Sequence, residues 1–258
     1  MGAATISEVF PSPITVLVGH AGTGKTNTSL GLALALAKEG YEVTLADLDV
    51  VNPYFRSSDY PELLHEAGIR LIAPVLARTT LDTPSLSGEL DVAIEQAAGS
   101  TSKRLVIDVG GDDDGATTIG RWASRLDAAA ARVLYVVSAY RSLTTDPADA
   151  AAMLPDIEWH AHLKADAVLN ASNLGNETAS EHVRHGRAFA QEVARLLGLP
   201  VQATVVPLTA VADMAHAQLD HKHPTIAPTS VKMALTDTAS DTEPLVVMPR
   251  FVTTPWDN

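Results

Sequence analysis

Cysteine is missing from all 258 residues of the chain, which excludes disulfides, thiolate metal sites and iron–sulfur ligation by this chain alone. Positive charge is scarce: 18 Lys and Arg stand against 31 Asp and Glu, a formal net charge of −13. Without a Lys/Arg cluster there is no electrostatic footprint for a phosphate backbone or an anionic surface. Nucleic acid and membrane are therefore not expected partners. No apolar run approaches the roughly 18 residues of a spanning helix. Residues 1–13 also lack the basic start and long apolar core of a signal peptide, so a cytoplasmic location is the expectation.

What the chain does contain is an alternation of short apolar runs with helical segments, the pattern of parallel βαβ units. Strands are expected at Ile14–Val18, Glu42–Ala46, Ile69–Ala73, Leu105–Val109, Val133–Val137, Ala167–Leu169 and Val201–Val206. Helices are expected at Thr26–Glu39, Leu86–Ala98, Ala116–Arg125, Ala148–Leu154, Thr178–Leu197 and Val211–His221. The fold class this implies is α/β: a three-layer, doubly wound, mainly parallel sheet with helices on both faces. The length suits one domain. Residues 224–258 are rich in Pro, Thr and Asp and hold one late apolar run, Leu245–Met248. They read as a tail packed on the main domain of residues 1–223, as an edge strand or a cover over a site.

The stretch GHAGTGKT, Gly19 to Thr26, follows the first strand and opens the first long helix. That context separates a phosphate-binding loop from a chance match to G-x-x-x-x-G-K-T. Glycines at 19, 22 and 24 let the backbone N–H groups curl inward onto phosphate oxygens, and the helix adds its positive end. Lys25 is placed to reach the β- and γ-phosphates, and the Thr26 hydroxyl to ligate Mg²⁺. The expected nucleotide-binding set is Gly19, His20, Ala21, Gly22, Thr23, Gly24, Lys25, Thr26 and Asn27. A dinucleotide site is disfavoured, because the loop reads G-x-x-G-x-G and the Lys-Thr pair has no role there.

Two further constellations follow strands. LADLDVVNPYFR carries Asp47 and Asp49 just past the second strand, and RLVIDVGGDDDGA carries Asp108 at the end of another, followed by Gly110 and Gly111. Such carboxylates can serve the metal's shell and an attacking water. The same residues also suit a helix-capping loop and a plain glycine turn. The histidines of HAQLDHKHP and EHVRH are expected as solvated surface groups rather than metal ligands, since no cysteine accompanies them.

Together these residues resemble the MinD/ParA class of P-loop ATPases, which also contains CobQ/CobB-like and nitrogenase-iron-protein-like members. The resemblance implies ATP/ADP and Mg²⁺ as ligands and slow ATPase activity used as a nucleotide-dependent switch. It further implies a homodimer, formed in response to nucleotide, and a protein partner of unspecified kind. By analogy, Asp49 positions the attacking water and is catalytic with Lys25. Thr26, Asp47 and Asp108 hold the metal, and Asn170 in AVLNASNLGN contacts adenine. The guanine-reading signature is absent at Asn170, which favours ATP over GTP. Members of the class carry an additional lysine early in the loop that reaches the partner's phosphates; here the position is His20, so either another cation substitutes, Arg56 and Arg121 being the nearest by motif, or hydrolysis is slow and the protein acts as a switch. Two alternatives share these residues. One is a CobQ/CobB-like ligase or small-molecule kinase, with Tyr54, Arg56 and Arg141 binding an acceptor. The other is a non-hydrolysing interaction module gated through the loops at 49–58 and 110–115.

Overall fold

The computed structural model describes residues 4–49, 57–73, 83–111, 113–141, 144–211, 234–235 and 243–251. The chain runs α1 (Ile6–Val9), β1 (Ile14–Val18), α2 (Lys25–Lys38), β2 (Glu42–Leu48), α3 (Pro61–Glu66), β3 (Arg70–Ile72), α4 (Thr83–Ala98) and β4 (Lys103–Val109). It continues through α5 (Asp113–Gly120), α6 (Ala123–Ala128), β5 (Arg132–Val137), α7 (Pro147–Ala161), β6 (Ala167–Asn170), α8 (Ser180–Leu197), β7 (Val201–Pro207), β8 (Ala234–Leu235) and β9 (Leu245–Met248). One sheet takes the order β3-β2-β4-β1-β5-β6-β7-β9-β8, parallel throughout except where β8 pairs antiparallel with β9.

The central strands are apolar on both sides because both faces are covered. Every residue of β1 is buried, and its alternate side chains feed two cores. Ile14, Val16 and Val18 pack with Ile107, Val133, Tyr135 and the apolar faces of α4, α7 and α8, including Leu90, Leu154 and Phe189. Leu17 packs with Val106, Leu134, Val136 and the face of α2 that carries Leu30, Ala33 and Leu36. This is the expected three-layer arrangement, with α1, α2 and α3 on one side and α4 to α8 on the other.

Several elements differ from the sequence reading, for local reasons. Instead of one helix over Ala116–Arg125, α5 starts earlier and stops at Gly120, and α6 begins after Trp122. A side chain at Gly120 would stand 3.0 Å from the His160 carbonyl of α7, and the buried Trp122 fixes the break by donating its Nε1–H to Asp91 at 2.9 Å. Helix α1 was not expected; a capping box between Thr5 and Glu8 closes this single turn. The Leu245–Met248 run is not at the edge but inside the sheet, between β7 and β8. Of the helix expected at Val211–His221, all but Val211 lies outside the described residues.

The arrangement fixes where a ligand can sit. β1 is flanked by β4 and β5, and the chain departs to opposite sides of it. In such sheets the crevice beyond the carboxyl ends of the strands at this switch point receives the ligand. The loops after β1, β2, β4, β5 and β6 all open there.

Candidate nucleotide site

The loop after β1 turns through Gly22 at φ +78 and Gly24 at φ +94, left-handed conformations that a side chain would strain. Gly24 is the N-cap of α2 and supplies no side-chain cap. The opening N–H groups of that helix therefore have no intrahelical acceptor and suit an anion. Lys25 is buried and donates to the Gly19 and His20 carbonyls at 2.8 and 3.0 Å, which folds its ammonium back over the loop. Thr23 Oγ1 donates to the His20 carbonyl at 2.9 Å. His20 is half-buried, with Nδ1 3.2 Å from the Ala21 carbonyl.

The β4 side of the loop is acidic. Asp47 and Asp108 are register partners on β2 and β4, and both are almost fully buried. Desolvation, and next the Asp47 charge, push Asp108 up from 3.8 to about 7, against the opposing pull of Lys25 and of the Thr26 and Ser57 hydroxyls. Ser57 Oγ donates to Asp108 Oδ2 at 3.1 Å and lies 3.2 Å from Ser29 Oγ on α2. Among the described residues, Asp108 Oδ1 is buried without a hydrogen-bond partner. An orphaned carboxylate oxygen beside a second buried carboxylate is costly unless a cation or a proton joins it. The donor set of two carboxylates and the Thr26 hydroxyl is all oxygen, which fits a hard divalent cation such as Mg²⁺.

Asp49 follows β2, half-buried, and its backbone N–H donates to Asp47 Oδ1 at 3.1 Å. After β4, Gly111 meets the loop itself: its carbonyl accepts from Ala21 N–H at 3.0 Å, and a Cβ at Gly111 would stand 2.4 Å from Ala21 Cα. Only glycine permits that approach.

Two expected nucleotide residues have their side chains engaged elsewhere. Asn27 Nδ2 donates to the Pro249 carbonyl at 3.2 Å, and its Oδ1 accepts from Phe251 N–H at 2.7 Å. Asn170, fully buried, donates to Thr204 Oγ1 at 3.2 Å and accepts from Ser172 N–H at 3.0 Å, pinning the loop after β6. That loop touches the P-loop, since a Cβ on Gly24 would be 3.3 Å from Ala171 Cβ. Arg121 is exposed in the turn between α5 and α6. Tyr54 and Arg56 lie outside the described residues.

Sequence reasoning did not find Ser29 and Ser57, whose hydroxyls are joined to Asp108 only by tertiary packing. Arg141, expected to bind an acceptor only in the ligase or kinase alternative, lies with its guanidinium against Gly22. The neighbourhood of β5 and β1 is the signal that would have found it.

A G-x-x-x-x-G-K-T loop between β1 and α2, at the switch point of a parallel sheet and faced by two buried aspartates, defines a P-loop nucleotide-binding protein. A family model, the CobQ/CobB/MinD/ParA nucleotide binding domain, matches residues 14–218. The chain belongs to that family. None of the curated proteins matches it. Among solved structures it is similar in fold to FtsY from Mycoplasma mycoides (TM-score 0.52, 20% identity, 78% of this chain and 62% of that one). It is likewise similar to FtsY from Thermotoga maritima (0.52, 19%, 76% and 63%) and to chloroplast FtsY from Physcomitrella patens (0.51, 18%, 75% and 58%). The chain thus spans about three fifths of the length of those proteins.

Proposed function

We propose that the chain binds ATP with Mg²⁺, hydrolyses it slowly and uses the bound nucleotide as a switch, dimerising in its ATP state and engaging a protein partner. The observation that carries this reading is the buried Asp47–Asp108 pair beside Thr26 and Lys25, with Asp108 Oδ1 lacking a partner. Thr26, Asp47 and Asp108 would hold the metal, and Lys25 would turn from the loop carbonyls to the phosphates. Mg²⁺ held there would supply charge neutralisation of the phosphates.

The chain's own residues account for the other requirements. The opening turn of α2 and the loop amides of residues 19–24 other than those of Ala21 and Thr23, which donate to the Gly111 and His20 carbonyls, receive phosphate oxygens, and Asn27 contributes through its backbone. Asp49, placed just beyond Asp47, orients a water for in-line attack. Asn170 acts on the base by fixing the Ala171–Asn173 backbone, and the missing guanine-reading acid favours adenine. Gly111 on Ala21 gives the γ-phosphate a lever on the loop after β4, the order-and-release element of a switch.

The test combines binding and turnover. Asp49→Asn is expected to bind Mg²⁺-ATP nearly as the parent does while phosphate release falls by about 10²-fold. Unchanged release would remove water positioning from Asp49. In competition titration ATP should outbind GTP at least about tenfold, or about 1.4 kcal/mol; equal affinities would refute the base assignment. Analytical ultracentrifugation should show a dimer with a non-hydrolysable ATP analogue, and a monomer in both nucleotide states would refute the dimer.

A further inference from the structure

The P-loop has carboxylates on its β4 side and a cation on its β5 side. β5 lies beside β1 with Tyr135 opposite Val18, so the chain leaving β5 passes next to Gly19–Gly24. Two bonds shape that passage: Ala139 N–H donates to Ser172 Oγ at 2.9 Å, and Arg141 N–H donates to the Ser138 carbonyl at 3.4 Å. The result sets the Arg141 guanidinium on Gly22. A Cβ built at Gly22 would lie 3.0 Å from Arg141 Cζ and Nη1 and 3.2 Å from Nε. Among the described residues, Arg141 Nε is fully shielded without a hydrogen-bond partner and no ion pair uses this guanidinium.

A permanently charged group with a shielded, unsatisfied donor is unfavourable unless an acceptor completes it. The acceptors suited to this position are phosphate oxygens, because Arg141 faces the concave loop whose amides and Lys25 gather them. A guanidinium offers parallel N–H donors that match two such oxygens at once.

We propose that Arg141 binds the terminal phosphate oxygens of the nucleotide within one chain, and stabilises them as the phosphoryl group transfers. This rests on the P-loop nucleotide reading above. In hydrolysis the water oxygen bonds to the terminal phosphorus and the bridging P–O bond breaks. Its electron pair stays on the departing ADP, and the water proton leaves with inorganic phosphate. The charge spread over the equatorial oxygens during that exchange is what a guanidinium at Gly22 offsets. The group belongs to the same chain as Lys25, so the contribution does not depend on a second subunit.

The test is calorimetric binding of Mg²⁺-ATP and Mg²⁺-ADP to the parent, Arg141→Ala and Arg141→Gln, with single-turnover phosphate release at several protein concentrations. Gln keeps much of the stem and guards against a folding defect in the Ala variant. Both variants should lose about tenfold or more in ATP affinity while ADP affinity changes less than about threefold. Release should fall by about 10²-fold or more, by the same factor at every protein concentration. Equal losses for both nucleotides, no loss for either, or a defect confined to high protein concentration would overturn the role of Arg141 while leaving the nucleotide site standing. A parent chain that binds neither nucleotide would instead overturn the site.

Discussion

Asp108 sits where two demands meet. Buried beside Asp47, its carboxyl is pushed up to about 7, whereas binding a cation would require it to give that proton up. The sign follows from proton counting. Between its ordinary 3.8 and about 7 the folded chain binds more protons here than the unfolded one, so this group's contribution to stability is full at low pH and declines as pH rises through about 7. A divalent cation bound at Asp108 would reverse the trend by favouring the carboxylate. Thermal unfolding should therefore show a larger Mg²⁺-induced stabilisation at about pH 8 than at about pH 6, with proton release on binding at the lower pH. Asp108→Asn should abolish that pH dependence. An equal Mg²⁺ effect at both pH values would remove Asp108 from the metal set.

At the scale of elements, the C-terminal segment is tied to the domain by particular bonds. β9 adds to β7 in parallel register, Thr204 opposite Leu245. Just before it, Glu243 accepts from Arg187 Nε on α8 at 2.8 Å, with both side chains almost fully buried. Removing one partner of a buried pair leaves an uncompensated charge, so Glu243→Ala is expected to cost about 3–5 kcal/mol in urea unfolding. Beyond the strand, Asn27 clasps Pro249 and Phe251 from the first turn of α2. Asn27→Ala should cost about 1–2 kcal/mol, and hydrogen exchange should quicken at Phe251. Unchanged exchange there would mean that the clasp adds nothing to the order of the segment.

For the molecule as a whole, nucleotide binding and folding are linked by mass action. Mg²⁺-ATP at a hundred times its dissociation constant should raise stability by about 2.7 kcal/mol. Lys25→Ala should lose this shift, because the proposed phosphate contact goes with the ammonium. The variant should still fold but melt lower than the parent, since Lys25 is buried and its charge offsets that of the buried Asp108. Calorimetry showing undiminished ATP affinity in this variant would withdraw Lys25 from the site.

Strand and helix order could be read from the chain alone, because the runs ITVLV and RLVIDV are apolar on both faces and only a covered parallel sheet buries both. The P-loop was legible too, since GHAGTGKT fixes its own backbone through local glycine conformations and the start of α2. What spacing could not reveal was which distant residues share one position. Asp47 and Asp108 are 61 positions apart in the chain and become neighbours only through β2–β4 pairing. Ser57 reaches Asp108 by packing against α2, Arg141 meets Gly22 because β5 happens to flank β1, and Leu245–Met248 enters the sheet beside β7. Local sequence dictates conformations that a few residues impose on themselves. Which strand lies next to which is decided by burying both faces of the whole sheet together, and that choice brings a charge pair, a cation and a phosphate loop to one crevice.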